Sequence, residues 1–193
     1  MKKGSVLLIV VAVVAVLGIW GVKTYNQLVG LDEAVSSSWS QVENVYQRRS
    51  DLIPNLVATV KGYAAHEEST LEGVVEARSK ATQVNISDLS EESIRNFQQA
   101  QGQLSSALSR LMAVVENYPD LKANENFLDL QAQLEGTENR IAEARRAFNE
   151  TAKTYNVAVR TFPANIIAGI CSFPVKGYFT ADEGASKAPV VQF

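Results

Sequence analysis

Residues Asn124 to Pro163 read NENFLDLQAQLEGTENRIAEARRAFNETAKTYNVAVRTFP, the clearest helical period in the chain. Phe127, Leu134, Ile141, Phe148, Tyr155 and Phe162 recur at heptad spacing, with Leu130, Thr137, Ala144, Thr151 and Ala158 as a companion row. Large rings in one row and mostly small side chains in the other predict a long helix that packs closely on its neighbours. Asn124 supplies an N-cap and Pro163 a stop.

Working upstream, Ile94, Phe97, Gln101, Leu104, Leu108, Leu111, Val115 and Tyr118 alternate by three and four, which predicts a second helix ended by Pro119. Ser90 is its N-cap, Glu91 and Glu92 suit the positive end of the helix dipole, and Leu89 with Ile94 has staple spacing. The polar stretch from Gln83 to Ser90 is a connection. Before it, Leu28, Val35, Val42, Leu56 and Tyr63 form one apolar row, and Trp39, Tyr46, Ile53 and Val60 another, with Leu31, Val45 and Leu52 beside them. The pattern weakens through Leu71, Val74 and Val75 to about Thr82. Pro54 removes a backbone donor and crowds the Ser50 carbonyl. Because the heptad phase survives, a kink is favoured, with a full break after an Asp51 cap as the alternative. Long helices with short connections run antiparallel.

Ser5 to Val22 carries no charge and, at about 1.5 Å per residue, covers roughly the thickness of a bilayer's hydrocarbon core. A secretory signal is the competing reading. The run is longer than a usual signal core, lacks a small-x-small site beyond it, and is followed by Trp20, Lys23 and Tyr25, an interfacial set. An uncleaved anchor is therefore expected. Lys2, Lys3 and the amino terminus precede the span and only Lys23 follows closely, so the N-terminus is expected inside and the remainder outside.

The fold class is thus all-α: an antiparallel bundle of three to four long helices preceded by one N-terminal transmembrane helix. Residues 1–23 are read as the anchor, 24–180 as the bundle and 181–193 as a flexible C-terminal tail. The apolar segment from Ile166 to Phe179 is too short to span a membrane. It is expected to dock on the bundle, or else to offer an apolar patch to a partner or a lipid surface.

The chain has 193 residues, 46 % hydrophobic and 20 % charged, which is material for a core and excludes wholesale disorder. Eighteen basic against 21 acidic side chains give a net charge of −3, so no nucleic-acid partner is expected. The single histidine, His66, reads as a solvated helix residue, because a metal site needs three or four ligands. The single cysteine, Cys171, reads as a buried inert thiol. Ser36 to Ser38 lacks a glycine elbow. No catalytic residue, no cofactor-binding residue and no metal ligand is assigned, and an enzyme is not expected. Arg49 falls on the apolar stripe of the first helix and requires a carboxylate, with Glu138 or Glu116 as candidates. Asn55, Asn124, Asn139 and Asn156 read as caps or interhelical hydrogen bonds.

Several motifs in order resemble the LemA family of bacterial membrane-anchored helical proteins. They are Trp39-Ser-Gln-Val, Arg48-Arg49-Ser-Asp-Leu-Ile-Pro54-Asn-Leu, Val60-Lys-Gly-Tyr-Ala-Ala-His66-Glu, Tyr118-Pro-Asp-Leu-Lys-Ala-Asn124, Thr137-Glu-Asn-Arg-Ile-Ala142, Ala144-Arg, Tyr155-Asn and Phe162-Pro-Ala-Asn165. The likeness runs from about Tyr25 to Phe179. One departure is Cys171-Ser172-Phe173, where the family often has glycine before the phenylalanine. The resemblance implies a helical bundle behind one transmembrane helix, without an established enzymatic activity. It places the protein in the bacterial inner membrane as a single-pass protein. A magnetosome-membrane member implies membrane organisation, and frequent neighbouring membrane proteases imply an adaptor role.

The expected function is a non-enzymatic scaffold that self-assembles and organises the membrane or its complexes; the alternative is an adaptor or regulator for a membrane partner such as a protease. The expected partners are the lipid bilayer through residues 5–22, further copies of the chain, and a possible membrane protein. The end segment from Ile166 to Phe179 and the surroundings of Trp39 are the expected contact surfaces.

Overall fold

The computed structural model describes residues 3–84, 86 and 88–181. These residues form helices α1 (Lys3–Lys61), α2 (Glu68–Gln83), α3 (Glu91–Val115), α4 (Pro119–Lys122), α5 (Glu125–Arg160) and α6 (Ala164–Ile170), with no strand among them. The all-helical architecture matches the sequence pattern. Contacts divide the chain into two units, one of residues up to Arg49 with Leu134–Lys176, the other of Ser50–Gln133 with residues from Gly177 onward.

In the first unit the early part of α1 runs antiparallel to the late part of α5. Arg49 meets Glu138 and Trp39 meets Phe148, so descending α1 matches ascending α5 step for step. Leu28, Val35, Trp39, Val42 and Tyr46 from α1 and Leu134, Ile141, Phe148 and Tyr155 from α5 are buried, as their heptad rows require. The row ends before Phe162. Helix α5 stops at Arg160, and Phe162 is 75 % exposed.

The second unit contains the end of α1, then α2, α3, α4 and the start of α5. Helix α1 runs through Pro54 without a break and ends at Lys61. The reversal comes instead in the turn at Gly62–Glu67, where no proline is present, so the stripe read through to Thr82 belongs to two helices. The missing Pro54 donor is replaced from α2, where the Arg78 Nε–H donates to the Ser50 carbonyl at 2.8 Å. Helix α2 packs on α3, and the Gln101 amide donates to the Ala81 carbonyl at 3.3 Å.

The caps behave as their chemistry demands. Ser90 Oγ accepts from the Ser93 N–H at 3.3 Å, and Asn124 Oδ1 accepts from the Phe127 N–H at 3.0 Å. Helix α3 ends at Val115, earlier than expected, and Pro119 opens α4 as its first residue. That role suits a residue with no N–H to lose and a helical φ already set.

Candidate functional site

The apolar part of α1 from Leu7 to Ile19 is exposed throughout, with Leu8 and Ile19 both at 72 %. Burial begins at Trp20 and Gly21, and Thr24 and Leu28 are fully covered. The change has a local cause in the first unit. A side chain at Gly21 would lie 3.8 Å from Ile167 Cδ1, so α6 rests on α1 at this level. Next to it, Tyr25 and Phe173 meet edge to face at 5.7 Å.

After α6 the chain leaves regular structure and is fastened by side chains of α5 and α1. The Tyr155 hydroxyl donates to the Pro174 carbonyl at 2.9 Å. The Asn156 side-chain amide donates to the Lys176 carbonyl and accepts from the Lys176 N–H, both at 2.8 Å, so one amide serves as a peptide partner. Lys176 Nζ pairs with Asp32 at 2.7 Å and stands 5.3 Å from the centre of the Tyr155 ring. Burial first, and the Asp32 carboxylate second, push the Tyr155 hydroxyl up to about 12.

In the second unit the following residues are fastened the same way. Gln98 donates to the Thr180 carbonyl at 3.0 Å and accepts from the Thr180 N–H at 3.1 Å, while Phe179 packs edge to face on Phe97. The Gly177 N–H donates to the Leu89 carbonyl at 2.8 Å, and a Cβ at Gly177 would lie 2.6 Å from the Glu91 Cα. Only glycine permits that approach. The segment from Ile166 to Phe179 is therefore docked through Ala168, Phe173, Lys176 and Phe179, and still leaves Ile166, Ile170, Val175 and Tyr178 exposed.

The backbone at the end of α6 explains the departure at Ser172. The Phe173 N–H donates to the Ala168 carbonyl at 3.0 Å, the long bond of a Schellman cap, and Ser172 takes φ 58°. Glycine is the low-cost residue in that left-handed region, and serine carries a penalty there.

Arg49 is 1 % exposed, its Nη1 is 2.7 Å from Glu138 Oε1, and its guanidinium lies 5.1 Å from the Tyr46 ring centre. Of the two acids proposed for it, Glu138 is the partner, and Glu116 pairs with Lys122. Asn124 acts as the cap read from the sequence, whereas Asn156 bonds the non-helical backbone of Lys176 rather than another helix.

Three other expectations are corrected. Trp39 is 6 % exposed and meets Phe148 edge to face at 5.4 Å, so the ring itself belongs to the core, as its apolar row requires, and is not part of a contact surface. Cys171 is exposed, because it follows the last turn of α6 on the open side. His66 is solvated but lies in the turn after α1, not in a helix. Nothing in the sequence marks the Asp32–Lys176 pair, since neither residue interrupts an apolar pattern. Among the described residues no group of three or more His, Cys, Asp and Glu side chains could hold a metal ion.

An exposed apolar helix of membrane-spanning length, continuing into helices with a buried core, defines a class of membrane-associated helical protein. Comparison with known proteins agrees. The LemA family profile matches residues 38–193, and the chain belongs to the LemA family. It is 28 % identical over 186 residues to magnetosome protein MamQ of Magnetospirillum gryphiswaldense, an alignment covering 86 % of this chain and 68 % of that one. Magnetosome protein MamQ 2 of Paramagnetospirillum magneticum is 29 % identical over the same shares. Protein LemA of Metamycoplasma hominis is 24 % identical over 74 % of this chain and 63 % of its own length.

Proposed function

We propose that the protein is a non-enzymatic scaffold, anchored in the inner membrane by residues 5–22, that self-assembles to organise the membrane or its complexes. The observation that carries this reading is the use of its buried and half-buried polar groups. Arg49 holds Glu138, Arg78 holds the Ser50 carbonyl, Gln101 holds Ala81, and Asn156 and Tyr155 hold the segment after α6. These polar groups serve to fix helices in place, which suits a protein that works by presenting surfaces. A membrane tether raises the effective concentration of neighbouring copies, so modest lateral contacts suffice for assembly. The exposed Val75, Leu128 and Val157 are available to such contacts. The likeness to magnetosome proteins favours a role in membrane organisation.

The reading includes a cytoplasmic N-terminus, with residues 24–180 on the other side of the membrane. A reporter enzyme that is active only outside the cytoplasm, fused after Phe193, gives signal in that topology and none in the reverse. Cross-linking of the full-length chain in native membranes tests assembly. A regular ladder in steps of the 21.0 kDa chain supports the scaffold, whereas a single adduct with a different protein replaces it with an adaptor.

A further inference from the structure

The first unit carries an exposed apolar surface that its own core does not use. Phe162 is 75 % exposed, Ile166 49 % and Ile170 75 %, and the two isoleucines share one face of α6 at a spacing of one helical turn. A soluble surface keeps such residues scattered; here the two isoleucines are neighbours, and Phe162 stands four residues before the first of them. The chain from Thr161 to Val175 contains no charged side chain, and Arg160 and Lys176 bracket it. Lys176 turns inward to Asp32, so the surface remains uncharged.

What covers this surface follows from where it sits. Ile167, about a quarter-turn round α6 from the two exposed isoleucines, packs at Gly21, one residue before the apolar span ends at Val22. At a rise of about 1.5 Å per residue, that level is the boundary between hydrocarbon and headgroups when Ser5 to Val22 crosses the bilayer. Through Ile167, the exposed isoleucines on either side of it in α6 are held close to the level where the lipid-facing span ends. Its surroundings have interfacial chemistry as well. Tyr25, 43 % exposed, is an amphipathic ring of the kind enriched at this depth, and the exposed Lys23 and Arg160 are placed to meet lipid phosphates.

We infer that α6 and its flanks are a second membrane contact, in which Phe162, Ile166 and Ile170 enter the interfacial layer of the leaflet where the span ends. The inference rests on the reading that residues 5–22 cross the bilayer. Two contacts orient what a single flexible tether would not, because a span alone leaves rotation and tilt free while an apolar wedge beside it restricts both.

The test uses the full-length chain in vesicles of phosphatidylethanolamine and phosphatidylglycerol. A nitroxide is placed by Ile170→Cys, Val13→Cys or Glu143→Cys, each in a Cys171→Ser background, and also on the native Cys171. Collision with oxygen, which partitions into lipid, is compared with collision with a water-soluble nickel chelate. The expected result is an oxygen-to-nickel ratio at position 170, and at the native cysteine, above that at position 143 and below that at position 13. A ratio at 170 equal to that at 143, with 13 still in lipid, overturns the inference and leaves the anchor intact. Low collision with both reagents at 170, relieved by diluting the protein in lipid, overturns it in favour of a contact between copies. Aqueous ratios at all three positions overturn the inference and the spanning reading together. Exposed positions tolerate these substitutions, and the native cysteine requires none.

Discussion

The Arg78 Nε–H donates to the carbonyl of Ser50 at 2.8 Å, and the carbonyl it satisfies is the one that Pro54 cannot reach. An interior proline deprives the residue four positions earlier of its helical donor, and Ser50 is only 2 % exposed, so water cannot fully compensate. Helix α1 continues because α2 folds back with a guanidinium at that height. Arg78→Leu is expected to destabilise the chain by about 1–3 kcal/mol, the cost of an unsatisfied buried carbonyl. Pro54→Ala restores the N–H and should remove most of that cost, so a thermodynamic cycle between the two substitutions should show coupling. Additive effects in chemical denaturation would show that the two groups act independently.

The Arg49–Glu138 pair is unequal, with an arginine side chain 2 % exposed against a glutamate 48 % exposed. Removing the acid strands a buried cation, whereas removing both takes away the charge as well. Glu138→Gln is expected to cost about 1–3 kcal/mol, discounted for the solvent that screens the carboxylate. Arg49→Met combined with Glu138→Gln should recover part of this loss. Urea unfolding midpoints of the two variants provide the comparison.

Ser172 occupies the left-handed position of the α6 cap with φ 58°. Ser172→Gly relieves that conformation and is expected to stabilise the protein by about 0.5–1 kcal/mol, or roughly 1–4 °C in Tm for a chain of this size. Ser172→Ala keeps the penalty and should show no gain. A calorimetric scan of the three proteins distinguishes conformational relief from any change in side-chain bonding.

Alkaline stability depends on Tyr155. Its hydroxyl is raised to about 12 in the folded protein, against about 10 in an unfolded chain. Protonated Tyr155 therefore contributes stability below pH 10, and that contribution falls away as pH rises from 10 to 12. The slope is negative there because the unfolded state has already lost the proton that the folded state retains. Discounted for the solvent that screens the site, the loss is on the order of 1–2 kcal/mol across that interval. Tyr155→Phe lacks this slope, while losing the bond to Pro174 at all pH values. Unfolding curves of both proteins from pH 8 to 12 measure the difference.

The parts legible in the sequence were those with a local or periodic signature. Heptad rows identified the core of α1 and α5, Ser90 and Asn124 marked helix starts, and Arg49 on an apolar stripe announced an acidic partner. The reversal at Gly62 was hidden because Pro54 carried the stronger breaking signal, and its remedy, Arg78, lies far away in sequence. Asp32 and Lys176 gave no sign of each other, since each alone reads as an ordinary solvated charge. Cys171 is exposed for a related reason: an apolar run of sequence suggests burial, but α6 buries only one side of itself. Hydrophobicity alone does not say whether the covering surface is protein or lipid.

The most direct measurement is the protein mass of the full-length chain, extracted gently from membranes, purified alone and corrected for bound detergent. A self-assembling scaffold gives a discrete, large homo-oligomer that persists on dilution. A monomer or dimer across all extraction conditions contradicts self-assembly as the function.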